Sequence, residues 1–237
     1  MRTSLMSQLP DSARKSSAEV ESFISKAAKV PAPSEGRGRL IFALDATMSR
    51  QPTWDMATKL QGEMFEAAAS AGGLSIQLVS FRGMGEFDAR RWTASAAEMK
   101  RAMAGYGCRG GFTQIERTLR HAGTEASVAP VQALVYVGDC AEEQADAVCA
   151  AAGAMALAGV PAFMFQEGAN AFAETLFREV ARLTKGAYAR FDAGAAATLR
   201  ELLRAVAVYA SGGRKALADH ARKTGGAALL LTRQMGA

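Results

Sequence analysis

The chain has 237 residues, of which 49% are hydrophobic and 22% are charged, as is ordinary for a folded globular protein. This length is enough for one well-buried domain with extensions. The net charge of +5 permits an acidic partner but does not require nucleic acid. The sequence contains no block of five or six like charges and no patch that mixes aromatic and basic residues, so nucleic-acid binding lacks support.

The cellular setting is indicated by three features of the sequence. The amino-terminal stretch lacks the apolar core of a secretory signal. Three cysteines, Cys108, Cys140 and Cys149, are too few for a disulfide framework, so we expect a cytoplasmic protein in a reducing environment. Residues 147–165 carry no charge, but Gly159-Val160-Pro161 interrupts them, which predicts a buried helix followed by a strand rather than a membrane span.

The first part of the chain is predicted to be an extension, residues 1–38, with a short amphipathic helix over about 20–28 and a linker rich in proline and glycine. The apolar run 40–45 then predicts a strand that is covered on both faces. Apolar residues spaced by three and four after Ser49 predict a helix, which Gly72-Gly73 closes.

The elements that follow alternate between strand and helix. LSIQLVSF predicts a second strand, and EFDARRW a short third strand that pairs with it as a hairpin at the sheet edge. Ser95-x-x-Glu98 predicts the start of a helix. The remaining patterns are a helix from Thr113, the strand VQALVYVG, and then helices over 142–158, 170–184 and 196–210 that enclose the strands 160–165 and AYARF.

This alternation predicts an α/β fold: a doubly wound, mostly parallel six-stranded sheet with one antiparallel edge strand and helices on both faces, as in Rossmann-like proteins. We place the domain at residues 39–210. The tail, 211–237, contains a polar helical stretch, then Gly225-Gly226, and then the apolar segment AALLLTRQM. We expect this segment to pack on the domain or on a partner, because several exposed large apolar side chains would be a liability.

Five oxygen-bearing residues are predicted to meet at one edge of this sheet. Asp45 and Asp139 each end a strand, Thr47 and Ser49 follow Asp45 at alternate positions, and Thr113 opens a helix after a glycine-rich loop. The carboxyl ends of parallel strands share one edge, and ligands bind there where the strand order reverses. Two carboxylates and three hydroxyls are ligands for a hard cation, Mg²⁺ or else Mn²⁺ or Ca²⁺.

The charge of such a site predicts what it would bind. Two carboxylates only just balance a divalent cation, and nearby helix amino termini add positive potential. An open coordination position would therefore favour an anionic oxygen, most simply the Asp or Glu side chain of a partner protein. Arg50, Arg82 and Arg109 are expected near the same rim and would reinforce this preference.

The pattern Asp45-x-Thr47-x-Ser49, then Thr113 after two glycines, then Asp139 after a buried strand resembles the metal-ion-dependent adhesion site of von Willebrand factor type A (VWA) domains. The resemblance extends over about residues 39–210. It departs from the family pattern in two places: Thr47 stands where serine is usual, and Cys140 follows Asp139 where glycine is most common. Neither change removes a ligand atom.

The resemblance implies a role for each of these residues. Thr47 and Ser49 would bind the metal directly, Thr113 would do so in the ligand-bound state, and Asp45 and Asp139 would act largely through water. It also implies a binding module rather than an enzyme. Intracellular bacterial members of the family often work beside an ATPase or a chaperone partner, and no membrane or nucleic acid is implied.

Other interpretations fit parts of the pattern. Ser49, Thr113 and Asp139 each taken alone fit helix caps. A Mg²⁺-dependent enzyme acting on a phosphorylated substrate, with Asp45 as nucleophile or metal ligand, is the main functional alternative. DATMS lacks the second aspartate that phosphatases of the haloacid dehalogenase type carry two positions after the nucleophile. A thiolate zinc site using Cys108 and Cys140 is disfavoured, because neither belongs to a Cys-x-x-Cys pair or has a histidine near it in sequence.

Overall fold

The computed structural model describes residues 37–47, 51–69, 71–192 and 195–236. The predicted amino-terminal helix and residues 31–36 of the predicted linker lie outside these residues. So do the candidate ligand Ser49 and the neighbouring Arg50.

Six strands form the sheet in the described part of the chain: β1 (Gly38–Asp45), β2 (Leu74–Arg82), β3 (Glu86–Ala89), β4 (Ala133–Gly138), β5 (Ala162–Glu167) and β6 (Ala187–Phe191). Their order across the sheet is β3-β2-β1-β4-β5-β6. Only the β2–β3 pair among them is antiparallel. The predicted doubly wound sheet with one antiparallel edge strand is confirmed.

Seven helices connect and cover these strands in the same residues: α1 (Gln51–Ala69), α2 (Ala96–Ala104), α3 (Ile115–Val128), α4 (Ala145–Leu157), α5 (Ala171–Leu183), α6 (Ala196–Thr224) and α7 (Gly226–Gln234). Two of them differ from the prediction. α4 begins three residues later than expected. α6 extends past residue 210 as two helical segments that meet at Gly213, whose φ of 69° and ψ of −165° are not helical. None of the described helices combines the length and apolar character needed to cross a bilayer.

The sheet separates two hydrophobic cores because successive strand residues point to opposite faces. On β1, Leu40, Phe42 and Leu44 pack against α1, α2, α6 and α7. Ile41 and Ala43 pack on the other face against α3, α4 and α5. Helices therefore cover both faces, and β1, which carries the first candidate ligand, is buried at all but one of its residues.

The junction of β1 and α6 depends on a glycine. A Cβ atom on Gly38 would lie 1.8 Å from the carbonyl oxygen of Ala210, so only glycine allows the helix backbone this close to the strand. This contact places the long helix directly under the start of the strand that ends in Asp45.

The carboxyl-terminal segment packs on the edge of the sheet. The side chain of Gln234 in α7 makes two 2.8 Å hydrogen bonds to the backbone of Tyr188 in β6: its Oε1 accepts from the N–H, and its Nε2 donates to the carbonyl. Leu231 of α7 is fully buried. Gln234 thus satisfies part of an edge strand that would otherwise offer unpaired groups. The division of the chain at residues 39 and 210 stays a prediction.

Candidate metal centre

The strand order reverses between β1 and β4. From β1 the chain runs through α1 to β2 on one side, whereas from β4 it runs through α4 to β5 on the other. Such a reversal opens a crevice above the carboxyl ends of the two strands, which is where ligands bind in open α/β sheets. Asp45 is the last residue of β1, and Asp139 directly follows β4.

Asp45 is fixed by the turn that follows it. Its side chain is 1% exposed, and its Oδ1 accepts a 2.8 Å hydrogen bond from the N–H of Thr47. Aspartate commonly bonds the backbone two residues on in this way. Thr47 is itself buried, so the first two candidate ligands form one compact turn at the end of β1.

Asp45 and Asp139 lie close together although 94 positions separate them in sequence. One carboxylate oxygen of each, together with the sulfur of Cys140, lies within 4.8 Å of the other two. The residue types fit a divalent cation, since two carboxylates match its charge and Thr47 adds a neighbouring hydroxyl. Burial raises the pKa of Cys140 to about 12, and the charge of Asp139 and a hydrogen bond to it add to the effect.

Thr113 is attached to the loop that follows Asp139. Its N–H donates to Oε2 of Glu142 at 2.9 Å, and its hydroxyl oxygen accepts from the N–H of Glu142 at 3.2 Å. The side chain is 4% exposed. Glu142, three positions after Asp139, therefore fixes the position of Thr113 relative to the loop that carries this aspartate.

The start of α3 is capped by a carboxylate from the same loop. Glu143 accepts hydrogen bonds from the N–H groups of Ile115, at 2.5 Å, and Glu116, at 2.9 Å. Burial nevertheless raises the pKa of Glu143, although these bonds and one from the Thr113 side chain act in the opposite direction. Glu143 thus ties the helix that begins beside Thr113 to the Asp139 loop.

This arrangement decides the cap interpretation for two residues. Thr113 is not the N-cap of α3; that position is Gln114, which makes no side-chain cap bond. Asp139 is not the N-cap of α4, which is Gln144. The interpretation of Thr113 and Asp139 as helix caps is therefore wrong. The side chains of Glu142 and Glu143 instead accept hydrogen bonds from backbone N–H groups at and just before the start of α3.

The glycine-rich loop before Thr113 lies on the end of β1. The N–H of Arg109 donates to the carbonyl of Ala46 at 3.0 Å, and that of Phe112 to Gly83 at 3.3 Å. A Cβ atom on Gly111 would lie 2.2 Å from both the nitrogen and the oxygen of Gly83. Glycine is therefore required where this loop crosses the β2–β3 turn.

Gly111→Ala is expected to displace the loop and with it Thr113, because the colliding atoms are backbone atoms that cannot rotate away. We expect Mn²⁺ affinity, measured by calorimetry, to fall about tenfold, within the range seen when groups that orient metal ligands are lost. Gly110→Ala is the matched control, since a Cβ there meets nothing within 4 Å. Equal affinity in the two variants would contradict this role for Gly111.

The positive charge at the rim is shared with an acidic residue. Glu86 pairs with Arg82 at 2.8 Å and with Arg109 at 3.4 Å, and the hydrogen bond from Arg82 lowers the pKa of Glu86. Arg82 also stacks on Tyr106. Arg109 is the more exposed of the two arginines. Glu86 therefore offsets part of the attraction for an anionic ligand that was expected from Arg82 and Arg109.

Three acidic residues at this edge were missed from the sequence. Glu142 and Glu143 were placed inside a predicted helix. Glu167 ends β5, is 8% exposed, and accepts a hydrogen bond from the hydroxyl of Thr53 near the start of α1. An acid just after the apolar run AFMF, with one glutamine between them, was the available signal for Glu167, as the run LIFAL was for Asp45.

Comparison of the fold with solved structures gives strong matches at low sequence identity. A von Willebrand factor type A protein from Catenulispora acidiphila superposes with a TM-score of 0.57 at 18% identity, covering 74% of this chain and 43% of that one. The chain has the VWA fold. The SpRpn10 VWA domain gives a TM-score of 0.54 at 11% identity, covering 67% of this chain and 90% of that domain.

The fold also matches that of the pilus adhesin SpaC from Lactobacillus rhamnosus GG, with a TM-score of 0.57 at 11% identity, covering 76% of this chain and 30% of that one. This chain therefore spans less than half the length of the Catenulispora and Lactobacillus proteins. No protein-family model matches the sequence, and no curated protein matches it either.

Proposed function

We propose that this protein is a divalent-cation-dependent interaction module in which Asp45, Thr47, Ser49, Thr113 and Asp139 hold Mg²⁺, Mn²⁺ or Ca²⁺. The observation that carries the proposal is the approach of Asp45 and Asp139 within 4.8 Å at the strand-order reversal. The cation would supply an open position for an Asp or Glu side chain of a partner protein. Ser49 enters on the sequence pattern alone.

The positions of the histidines support a binding module over an enzyme. His121 is on α3 and contacts Gln77 of β2 at 2.9 Å, well below the carboxyl edge of the sheet. His220 is on the last part of α6. Neither is placed to act as a general base beside Asp45.

The cellular location and the partner protein rest on comparison with other proteins. An adhesin is among the proteins that share the fold, which supports a role in protein binding. A cytoplasmic location, and a partner that is an ATPase or chaperone, follow from the resemblance to intracellular bacterial VWA proteins alone.

The test pairs metal dependence with a threonine substitution. Protein immobilised with Mg²⁺ or with a chelator is used to capture partners for mass spectrometry, and the same capture is run with Thr113→Val. We expect Mg²⁺-dependent partners to bind the variant about tenfold more weakly, since Thr113 is proposed to act in the ligand-bound state. Thr124→Val, at an exposed position on α3, the helix that begins two residues after Thr113, is the control. Capture that ignores the chelator, or equal loss in both variants, would refute the proposal.

A further inference from the structure

The candidate metal centre contains a thiol. The sulfur of Cys140 is one of the three ligand atoms that lie within 4.8 Å of one another, and the other two are carboxylate oxygens of Asp45 and Asp139. Cys140 is only partly buried. The sulfur therefore lies beside both carboxylates, in a residue that is not fully enclosed by protein.

This ligand set differs chemically from one of oxygens alone. Magnesium and calcium prefer oxygen, whereas thiolate ligands select zinc and related ions. Zinc sites with an open position typically use three protein ligands, among which carboxylate and cysteine both occur, and bond lengths of about 2.0–2.3 Å place the ligand atoms roughly 3.5 Å apart. The three atoms of the cluster already lie within 4.8 Å of one another, so binding would require them to approach by roughly 1 Å.

The absence of a Cys-x-x-Cys pair does not bear on a site of this type. That spacing belongs to structural sites with four protein ligands drawn from local loops. Here Asp45 comes from the end of β1 and Asp139 and Cys140 from the end of β4, so the neighbouring strands bring the ligands together and sequence spacing carries no signal.

We propose that the site also takes Zn²⁺, with Asp45, Asp139 and Cys140 as its three protein ligands. The Zn–S bond forms as the thiol proton leaves to solvent, and no oxidant or reductant is involved. The inference rests on the proposed function in one respect, since both place a cation between Asp45 and Asp139. It differs in assigning a direct ligand to Cys140, which a bound Mg²⁺ would leave protonated.

Bound zinc would weaken the attraction of the site for an acidic partner. Two carboxylates and a thiolate carry three negative charges against the two positive charges of the ion, and the carboxylate of Glu142 is near enough to act on Cys140. The open position of the zinc form therefore attracts an acidic side chain less than that of the magnesium form. Zn²⁺ would accordingly oppose capture of the partner that Mg²⁺ supports.

The test uses the metal ions alone. Metal-free protein is titrated with Co²⁺, which reports a cobalt–thiolate bond by charge-transfer absorption in the near ultraviolet, and Zn²⁺ affinity is measured by competition with a chromophoric chelator. We expect the absorption band in the unsubstituted protein and in Cys149→Ser, a cysteine on α4. Cys140→Ser should lack the band and bind Zn²⁺ roughly 100-fold more weakly.

The outcomes separate the two proposals. Mg²⁺ binding without a cobalt–thiolate band in the unsubstituted protein overturns the zinc site and leaves the interaction module standing. A band that survives in Cys140→Ser overturns the assignment of the ligand. Failure of every ion to bind overturns both. Cys140→Gly, which matches the usual VWA residue, repeats the test with a second substitution and should behave as Cys140→Ser does.

Discussion

Asp45→Asn is expected to remove Mg²⁺ binding and, in the metal-free protein, to raise the free energy of unfolding. The two effects share one cause, which is the proximity of the Asp45 and Asp139 carboxylates. At 4.8 Å and an effective dielectric constant of about 20, two negative charges repel by on the order of 3 kcal/mol. Asp139 is only half-buried, so solvent reduces this figure, and we expect a gain of about 1–2 kcal/mol.

Asparagine is the informative replacement because it retains an oxygen at the position that accepts from the Thr47 N–H. The turn after β1 should therefore survive, while the charge is lost and the second carboxylate oxygen becomes an amide nitrogen. With Mg²⁺ at about 100 times its dissociation constant, the original protein should gain roughly 2.7 kcal/mol from binding. The variant should gain nothing, so the order of stability of the two proteins should reverse between chelator and Mg²⁺.

Chemical denaturation with and without Mg²⁺ measures this reversal. Asp55→Asn is the control, since it removes the same charge from an exposed position on α1 near the site and should leave the Mg²⁺ effect intact. Lower stability of Asp45→Asn than of the original protein in chelator would contradict this prediction. It would mean that other contacts already compensate the repulsion between the two carboxylates, so that no cation is needed to balance their charges.

Both aspartates could be placed at strand ends from the sequence, for a simple physical reason. Each follows an apolar run that fits a strand buried on both faces, LIFAL before Asp45 and ALVYV before Asp139. Such a strand must end where the first ionised side chain appears, because a charge cannot be buried in that core without a partner. The strand ends and their shared edge could therefore be predicted together.

The acidic loop after Asp139 could not be predicted in the same way. Asp139-x-x-Glu142 fits a local capping box, and the alanine-rich residues after it fit a helix. The alternative, in which Glu142 and Glu143 bond to residues 113, 115 and 116, depends on a helix about 28 positions away in sequence. The local sequence pattern contains no information about which distant helix the two glutamates contact. The helical stretch predicted in the tail is present as the part of α6 after Gly213, whose non-helical φ and ψ separate it from the part before.

The contribution of Glu143 to this arrangement leads to a second prediction. Glu143→Ala is expected to lower the free energy of unfolding by about 2–3 kcal/mol at mildly acidic pH, because it leaves the N–H groups of Ile115 and Glu116 at the start of α3 without acceptors. It also removes a side-chain hydrogen bond to Thr113. We therefore expect Mn²⁺-dependent partner binding to weaken along with stability.

A matched substitution separates this cap from the general effect of losing an acid. Glu116→Ala removes a carboxylate from the first turn of the same helix, where it pairs with exposed Arg120, and surface pairs of this kind contribute about 0–1 kcal/mol. Its unfolding free energy should stay within that range of the original protein. A loss equal to that of Glu143→Ala would show that α3 responds to charge near its amino terminus and not to the two hydrogen bonds.

The pH dependence of the Glu143 effect has a definite sign. Burial raises the pKa of Glu143 in the folded protein, so the folded state binds the proton more tightly than the unfolded state does. Its contribution is then full below the ordinary glutamate pKa of about 4.3 and declines as pH rises through the raised value. The difference in unfolding free energy between the original protein and Glu143→Ala, measured by denaturant titration from acidic to neutral pH, should therefore shrink as pH rises. A difference that grows over that interval would mean that the hydrogen bonds from α3 outweigh burial and that the pKa of Glu143 is lowered.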